Sequence, residues 1–207
     1  MQSIRILHLV DTPSPPKFPF KQHALLVCSS DNEDKAPAKY VNAALSRGQL
    51  TVYVPIHMDN AAENDTLRTT QLGPGTSNFE DNVNGGNLLT LDIRSFYNSL
   101  LAGNKQPFEE LKILLEEAIR QRIASGKSQE VTFVSGIAGT LAANQKFDQC
   151  INSERWWQKT HSEWLHNGLK VTMICSHPSK IFDKSQFMHY KQAMSSLHEE
   201  IVEHMTS

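Results

Sequence analysis

The sequence predicts an α/β protein with three layers, in which helices cover both faces of a mostly parallel sheet. Short runs of strand length alternate with segments that have helical periodicity, which is typical of β-α-β crossovers. The runs are apolar almost throughout, as expected for strands that are covered on both faces. Hydrophobic residues make up 39% of the 207 residues and charged residues 20%, so the chain can bury a substantial core.

The elements follow an N-terminal arm. Residues 2–10 predict a strand or an extended arm, and four prolines between positions 13 and 19 predict a stiff linker, so residues 1–21 are placed outside the domain. Strands are predicted at 24–28, 50–54, 88–92, 130–135 and 171–175. Helices are predicted at 37–45, 61–71, 95–101, 107–126 and 140–164, the last with a break near Asn152 and Ser153, either of which could cap a new helix.

Residues 181–207 are predicted to form a C-terminal amphipathic helix. Its apolar residues recur at steps of three and four and form one seam: Phe187, Tyr190, Met194, Leu197 and Ile201. This seam could pack on the protein's own sheet or against an identical helix. Because a symmetric interface between identical chains is the commonest kind of assembly, we expect a homo-oligomer, with a dimer favoured.

Charge and cysteine content narrow the possible partners. Lys and Arg total 20 against 22 Asp and Glu, without a dense basic stripe, so direct nucleic-acid binding is not expected. The three cysteines are too scattered for a disulfide framework or a zinc knuckle, which predicts reduced thiols in the cytoplasm. No apolar run approaches the roughly 20 residues of a membrane helix, so no membrane association is expected.

The loop after the first strand lacks the features of a phosphate-binding loop. It has no glycine and carries Asp31, Glu33 and Asp34, which would repel a triphosphate, so nucleotide hydrolysis is not expected. Ser29 and Ser30 in this loop are candidate ligand contacts, since ligands gather at the carboxyl ends of parallel strands. Gly136 follows another strand, where backbone amides at a helix N-terminus could meet an anion, although a tight turn alone would also explain a glycine.

The nine histidines do not predict a metal site by their spacing. His161 and His166 are five residues apart and so do not share one helical face, while His189, His198 and His204 have no ligand-like spacing. Neither a metal nor another cofactor is therefore expected.

Four further residues are candidates near the last helix and strand. Cys175 and His177 would face the same side of a strand and could act as nucleophile and base, although a small buried cysteine is the favoured interpretation. Glu154 would lie just inside a helix N-terminus, where the helix dipole stabilises a carboxylate that could also face a pocket. Trp157 could form an aromatic wall of that pocket or pack against the sheet.

The chain from about residue 22 to residue 178 resembles the MEDS domain, a sensory domain named from methanogens, methylotrophs and a dichloromethane-responsive repressor. The resemblance is carried by His23 opening the first strand, Gly48 ending the first helix, Gly86, Asn87 and Leu88 entering a strand, Pro107 and Phe108 opening a helix, residues 131–136, Glu154 with Trp157, and residues 175–178. It differs from the family at Ile137, where an acidic residue is usual, and at His177, where a tyrosine is usual.

This resemblance implies a RecA/KaiC-like fold without a phosphate loop, and the sensing of a small, hydrocarbon-derived ligand with signalling to a regulatory protein. We therefore expect residues 22–180 to form a non-catalytic sensory domain. Its expected ligand-binding residues are His23, Ser29, Ser30, Gly136, Glu154, Trp157, Cys175 and His177, of which His23, Glu154, Cys175 and His177 should approach one cleft. A catalytically silent nucleotide binder and a thiol enzyme that uses Cys175 are the alternatives.

Overall fold

A computed structural model of the chain describes residues 5–9, 22–29, 35–55, 79–91, 93–182 and 188–204. The strands in these ranges are β1 (Arg5–Leu9), β2 (His23–Cys28), β3 (Leu50–Val54), β4 (Leu88–Thr90), β5 (Glu130–Ser135), β6 (Lys170–Pro178) and β7 (Glu200–His204). The helices are α1 (Lys35–Leu45), α2 (Phe79–Asn84), α3 (Ile93–Leu101), α4 (Gln106–Ala124), α5 (Ile137–Ala143), α6 (Phe147–His166), α7 (Ser179–Phe182) and α8 (Met188–Leu197).

The strands form one sheet in the order β1-β7-β2-β6-β5-β3-β4, and every pair in it is parallel. Helix α1 packs on one face through Tyr40 and Val41, while α4, α6 and α8 contribute to the core on the other face. The predicted three-layer α/β fold is confirmed, and it is consistent with a RecA/KaiC-like architecture. Strand β2 is buried along its whole length, as its continuous apolar sequence predicts.

The C-terminal segment corrects one prediction. Helix α8 ends at Leu197, and Ile201 lies in β7, which inserts between β1 and β2. The predicted helix over 181–207 is therefore wrong beyond residue 197. The adjacent β-branched residues Ile201 and Val202 favour a strand, and pairing with β2 provides the backbone hydrogen bonds that a free strand edge would lack.

The predicted apolar seam lies on the protein's own core. Tyr190 and Met194 are buried there and Leu197 is half-buried against it, while Phe187 falls outside the described residues. The seam thus packs within the chain rather than forming a free helical face. Dimer formation stays a prediction, and this seam does not support it.

The helical region after β5 is divided at a different place from the one predicted. The chain leaves α5 at Asn144 and enters α6 after Lys146, and Gln145 between them has a left-handed φ of 59°. Helix α6 then continues without a break through Asn152 and Ser153. The helix stays intact at Asn152 and Ser153 because buried residues recur along one of its faces on both sides of this point, and this face packs against the sheet. Glu154 therefore lies in the middle of a helix, and the dipole argument for it is wrong.

Several other predicted features lie partly or wholly outside the described residues. The N-terminal strand is confirmed at Arg5–Leu9, but it pairs with β7 and so belongs to the sheet, which makes its predicted placement outside the domain wrong. The proline-rich linker, the acidic loop residues Asp31, Glu33 and Asp34, and the helix predicted at 61–71 all fall outside.

Candidate functional site

A buried polar cluster lies between the sheet and helices α6 and α8. His23 opens β2, and Cys175 and His177 lie on the neighbouring β6; the register pairs Leu25 with Cys175, so alternate residues of both strands point to the same face. Glu154 reaches this face from the middle of α6, and His198 follows α8 directly. We call His23, Glu154, Cys175, His177 and His198 the Glu154 cluster. Each of the five is at most 4% exposed, so water has almost no access to them.

One carboxylate contacts three imidazoles. His177 Nε2 donates to Glu154 Oε1 at 3.0 Å, while His23 Nε2 and His198 Nε2 lie 3.4 Å and 3.3 Å from Oε2. His23 Nε2 also lies 3.3 Å from Cys175 Sγ. The cluster therefore brings together residues of β2, α6, β6 and the α8–β7 connection at one buried point.

His177 is fixed by hydrogen bonds at both ring nitrogens. Because its Nε2–H donates to Glu154, its Nδ1 accepts from the Tyr190 hydroxyl at 2.7 Å. The Tyr190 oxygen in turn lies 3.4 Å from Cys150 Sγ. This chain of contacts orients Oε1 of Glu154 and links α8 to the cluster.

His198 is oriented so that a lone pair meets a carboxylate oxygen. Its Nδ1 lies 2.8 Å from the carbonyl oxygen of Met194, which only accepts hydrogen bonds, so Nδ1 carries the proton. In the neutral ring, Nε2 is then an acceptor that faces Glu154 Oε2, also an acceptor. Neither of these two atoms completes a hydrogen bond with any described residue. The arrangement calls for a positive charge between them.

The electrostatics of the cluster lead to the same requirement. Burial, together with His198, lowers the pKa of His23 to about 4, and burial also lowers the pKa of His177. Burial alone would raise the pKa of Glu154, but His198, His177 and His23 hold it well below its ordinary value. At neutral pH the buried carboxylate is therefore charged while His23 and His177 are neutral. A buried charge of this kind needs a partner of opposite sign, which a proton on His198 Nε2, or a cation in the place of that proton, would supply.

Cys175 lacks the features that thiol catalysis would require. Burial, followed by the nearby Glu154, raises the pKa of its thiol well above the ordinary value, whereas a nucleophile needs a lowered one. The expected base, His177, bonds instead to Glu154 and Tyr190, and the ring that approaches Cys175 is that of His23. The pairing of Cys175 with His177 as its base is not formed.

The predicted convergence of His23, Glu154, Cys175 and His177 is confirmed, but at a different kind of place. The four lie in the interior against the face of the sheet, not in a cleft at the strand exits. His198 was not predicted, since spacing along the chain cannot reveal a partner of Glu154 that is 44 residues away. The one local signal is its position just before Ile201 and Val202, which favour a strand, but this signal does not show that the strand pairs with β2.

The remaining predicted ligand contacts do not join this cluster. Ser29 follows the carboxyl end of β2, roughly 20 Å along the strand from His23, and Ser30 lies outside the described residues. The amide of Gly136 donates to the carbonyl oxygen of Val54 at 2.8 Å, so it is not free for an anion. Trp157 is 1% exposed and packs in the core, with its ring centroid 4.5 Å from that of Phe133.

Two glycines, Gly136 and Gly139, lie where β5 ends and α5 begins. Neither is needed for an unusual backbone conformation, but Gly139 is needed for packing. Gly136 has a φ of −100°, which any residue adopts. A Cβ on Gly139, in contrast, would collide with the carbonyl oxygen of Ser176 in β6. Helix α5 thus approaches β6 closely next to His177, and this contact helps to position the cluster.

Compared with models of known protein families and with curated proteins, the sequence matches neither. The resemblance to the MEDS domain therefore stays a prediction. Among the described helices, none combines the length and the apolar character that crossing a membrane would need.

Proposed function

We propose that this chain is a ligand-responsive regulatory domain, in which the Glu154 cluster is the sensing centre and residues 188–204 carry the response. The observation that supports this most directly is the position of His198, which places the connection between α8 and β7 in contact with Glu154. The predicted resemblance to the MEDS domain agrees with a sensory role.

The cluster is coupled to residues 188–204 by three kinds of contact. Tyr190 hydrogen-bonds to His177, His198 faces Glu154, and the amide of Glu199 donates to the carbonyl oxygen of His23 at 2.9 Å. Directly after this bond, β7 pairs with β2 on one side and with β1 on the other. A ligand that changes the contacts of Glu154 would therefore change how the edge of the sheet is held.

The chemistry of the cluster suits binding better than turnover. Its ionisable groups are buried, its thiol is protonated, and three of its polar atoms lack hydrogen-bond partners among the described residues: His23 Nδ1, Glu154 Oε2 and His198 Nε2. Buried unpaired polar atoms are costly, which makes a bound species that pairs with them strongly favourable. The response would reach a regulatory protein, or a second copy of the chain, through the β1–β7 edge.

The coupling can be measured without knowing the ligand. In Glu154→Gln the side chain keeps its shape but loses its charge, so its ionic contact with His198 is lost and the hydrogen bond from His177 weakens. We expect amide hydrogen exchange in residues 188–204 to become at least about tenfold faster, because local opening of this segment would cost less free energy. Exchange in β3 and β4, on the far side of the sheet, should be unchanged.

The matched control is Glu117→Gln, which removes the charge of an exposed glutamate that pairs with Arg120. It should leave the exchange of residues 188–204 as it is. Faster exchange confined to α6, or spread equally over the whole sheet, would contradict the proposed route.

A thermal-shift panel tests ligand binding itself. Short-chain alcohols, aldehydes and halomethanes are the probes that the resemblance suggests, and binding to the folded state raises the melting temperature. We expect at least one class to raise it in the native protein and not in Glu154→Gln. A saturable shift with ATP, ADP or GTP that survives in Glu154→Gln would favour the silent nucleotide binder instead.

A further inference from the structure

We propose that His23, Glu154, Cys175 and His198 bind one divalent transition-metal ion, with Zn²⁺ as the best fit. The existence of this site rests on the geometry of the four side chains. Its role as the sensed or gating species rests on the proposed function.

The four donors already have nearly the separation that tetrahedral zinc requires. One ligand atom from each residue lies within 4.8 Å of all the others. Zinc bonds of about 2.0–2.3 Å at tetrahedral angles place ligand atoms roughly 3.3–3.6 Å apart. The contacts of His23 Nε2 with Cys175 Sγ and Glu154 Oε2 measure 3.3 Å and 3.4 Å, and that of His198 Nε2 with Oε2 measures 3.3 Å. Small side-chain movements would complete the coordination.

The surrounding hydrogen bonds orient the donors as metal ligands are usually oriented. A histidine ligand commonly donates its second ring N–H to a carbonyl oxygen, as His198 Nδ1 does to Met194. A carboxylate ligand is commonly held by a further hydrogen bond, as Oε1 of Glu154 is by His177. These bonds leave His198 Nε2 and Glu154 Oε2 facing each other, and a cation between them pairs both lone pairs.

The charge of the proposed complex suits its burial. When Zn²⁺ binds, the Cys175 thiol releases one proton to solvent and ligates as a thiolate. One Zn²⁺ with one thiolate, one carboxylate and two neutral imidazoles has no net charge. The metal would thus take the place of a proton on His198 as the positive charge beside the buried carboxylate.

The types of donor atom in the proposed site determine which metal ions would fit it. Two nitrogens, one sulfur and one oxygen suit zinc and similar transition metals, whereas Mg²⁺ and Ca²⁺ prefer sets of oxygen ligands. With four protein ligands the coordination is closed, as in zinc sites that stabilise a structure rather than catalyse. Because the ligands come from β2, α6, β6 and the α8–β7 connection, the metal would fasten residues 188–204 to the centre of the sheet.

The test uses the full chain, stripped of metal with a chelator and then titrated with Zn²⁺ against a chromophoric competitor. We expect one Zn²⁺ per chain and a higher melting temperature on binding. Co²⁺ in its place should give the intense visible bands of tetrahedral coordination and a thiolate charge-transfer band. Each of His198→Asn and Cys175→Ala should weaken Zn²⁺ binding at least about 100-fold, since even outer-shell partners cost up to that much.

Matched controls separate ligation from general damage. His189→Asn changes an exposed histidine of α8, and Cys28→Ala changes a buried cysteine on the opposite face of the sheet; both should bind Zn²⁺ as the native protein does. Absent binding, or equal affinity in His198→Asn and Cys175→Ala, would overturn the proposal. If either variant fails to fold, a Co²⁺ complex of the native chain without the thiolate band overturns it as well.

The outcomes of these experiments distinguish a failure of the proposed metal site from a failure of the proposed regulatory role. Zinc that binds as expected but leaves the hydrogen exchange of residues 188–204 unchanged would support the metal site and contradict the sensing route. The reverse result, with no zinc bound but faster exchange in Glu154→Gln, would retain the coupling and reject the metal.

Discussion

Gly139→Ala is expected to lower the free energy of unfolding by about 3 kcal/mol, although it adds a single methyl group. The new Cβ would collide with the carbonyl oxygen of Ser176 and lie 3.1 Å from the Cα of His177. Both neighbours are backbone atoms of β6, which is paired on both sides, so the strand cannot move aside. Helix α5 is fully packed as well, with Ile137 and Leu141 completely buried.

Urea denaturation measures this loss, and Gly103→Ala is its control. Gly103 has a left-handed φ of 71° but open space around its Cβ position, so the substitution there should cost only about 1 kcal/mol of backbone strain. A smaller loss at Gly139 than at Gly103 would show that α5 and β6 can separate, and that their contact does not position His177.

The fold was predictable where a segment's own residues determine its environment. Strands covered on both faces are apolar along their length and end at polar residues, which is why 50–54 and 130–135 matched at both ends. The segment from Glu200 to His204 has only two apolar residues, Ile201 and Val202, between charged or polar ones, and it becomes a strand because β2 offers it a partner. That partner lies more than 170 residues earlier, so no local pattern reveals it.

The candidate site also contains residues that the sequence predicted and one that it did not. His23, Cys175 and His177 were predicted because strand positions and a family resemblance mark them. The grouping of Glu154 with them was right, but for a wrong reason, since it depends on a continuous α6 and not on a helix N-terminus. His198 was missed, and the metal site with it, because spacing rules detect ligands that share one helix or loop. Here each of the four proposed ligands comes from a different element.

Trp157→Ala is expected to lower the free energy of unfolding by about 3–5 kcal/mol, because the indole fills the centre of the core between α6 and the sheet. Its ring centroid lies 4.5 Å from that of Phe133, 6.0 Å from that of Phe108 and 6.5 Å from that of Trp164. These are apolar contacts within the chain, and removing the ring leaves a cavity that the sheet cannot close. If Trp157 instead formed a wall of a ligand pocket, Trp157→Ala would lower the free energy of unfolding only slightly.

Two further substitutions separate these interpretations. Trp156→Ala removes a half-buried indole whose Nε1 donates to Glu109 at 3.0 Å, and it should cost about 1–2 kcal/mol. Trp157→Phe should cost less than Trp157→Ala, because Trp157 Nε1 has no hydrogen-bond partner among the described residues and phenylalanine removes that buried donor while keeping most of the ring. Chemical denaturation of the three variants gives the comparison. If Trp157→Ala unfolds at nearly the native denaturant concentration yet loses every thermal shift in the small-molecule panel, Trp157 lines a ligand site and its assignment to the core is wrong.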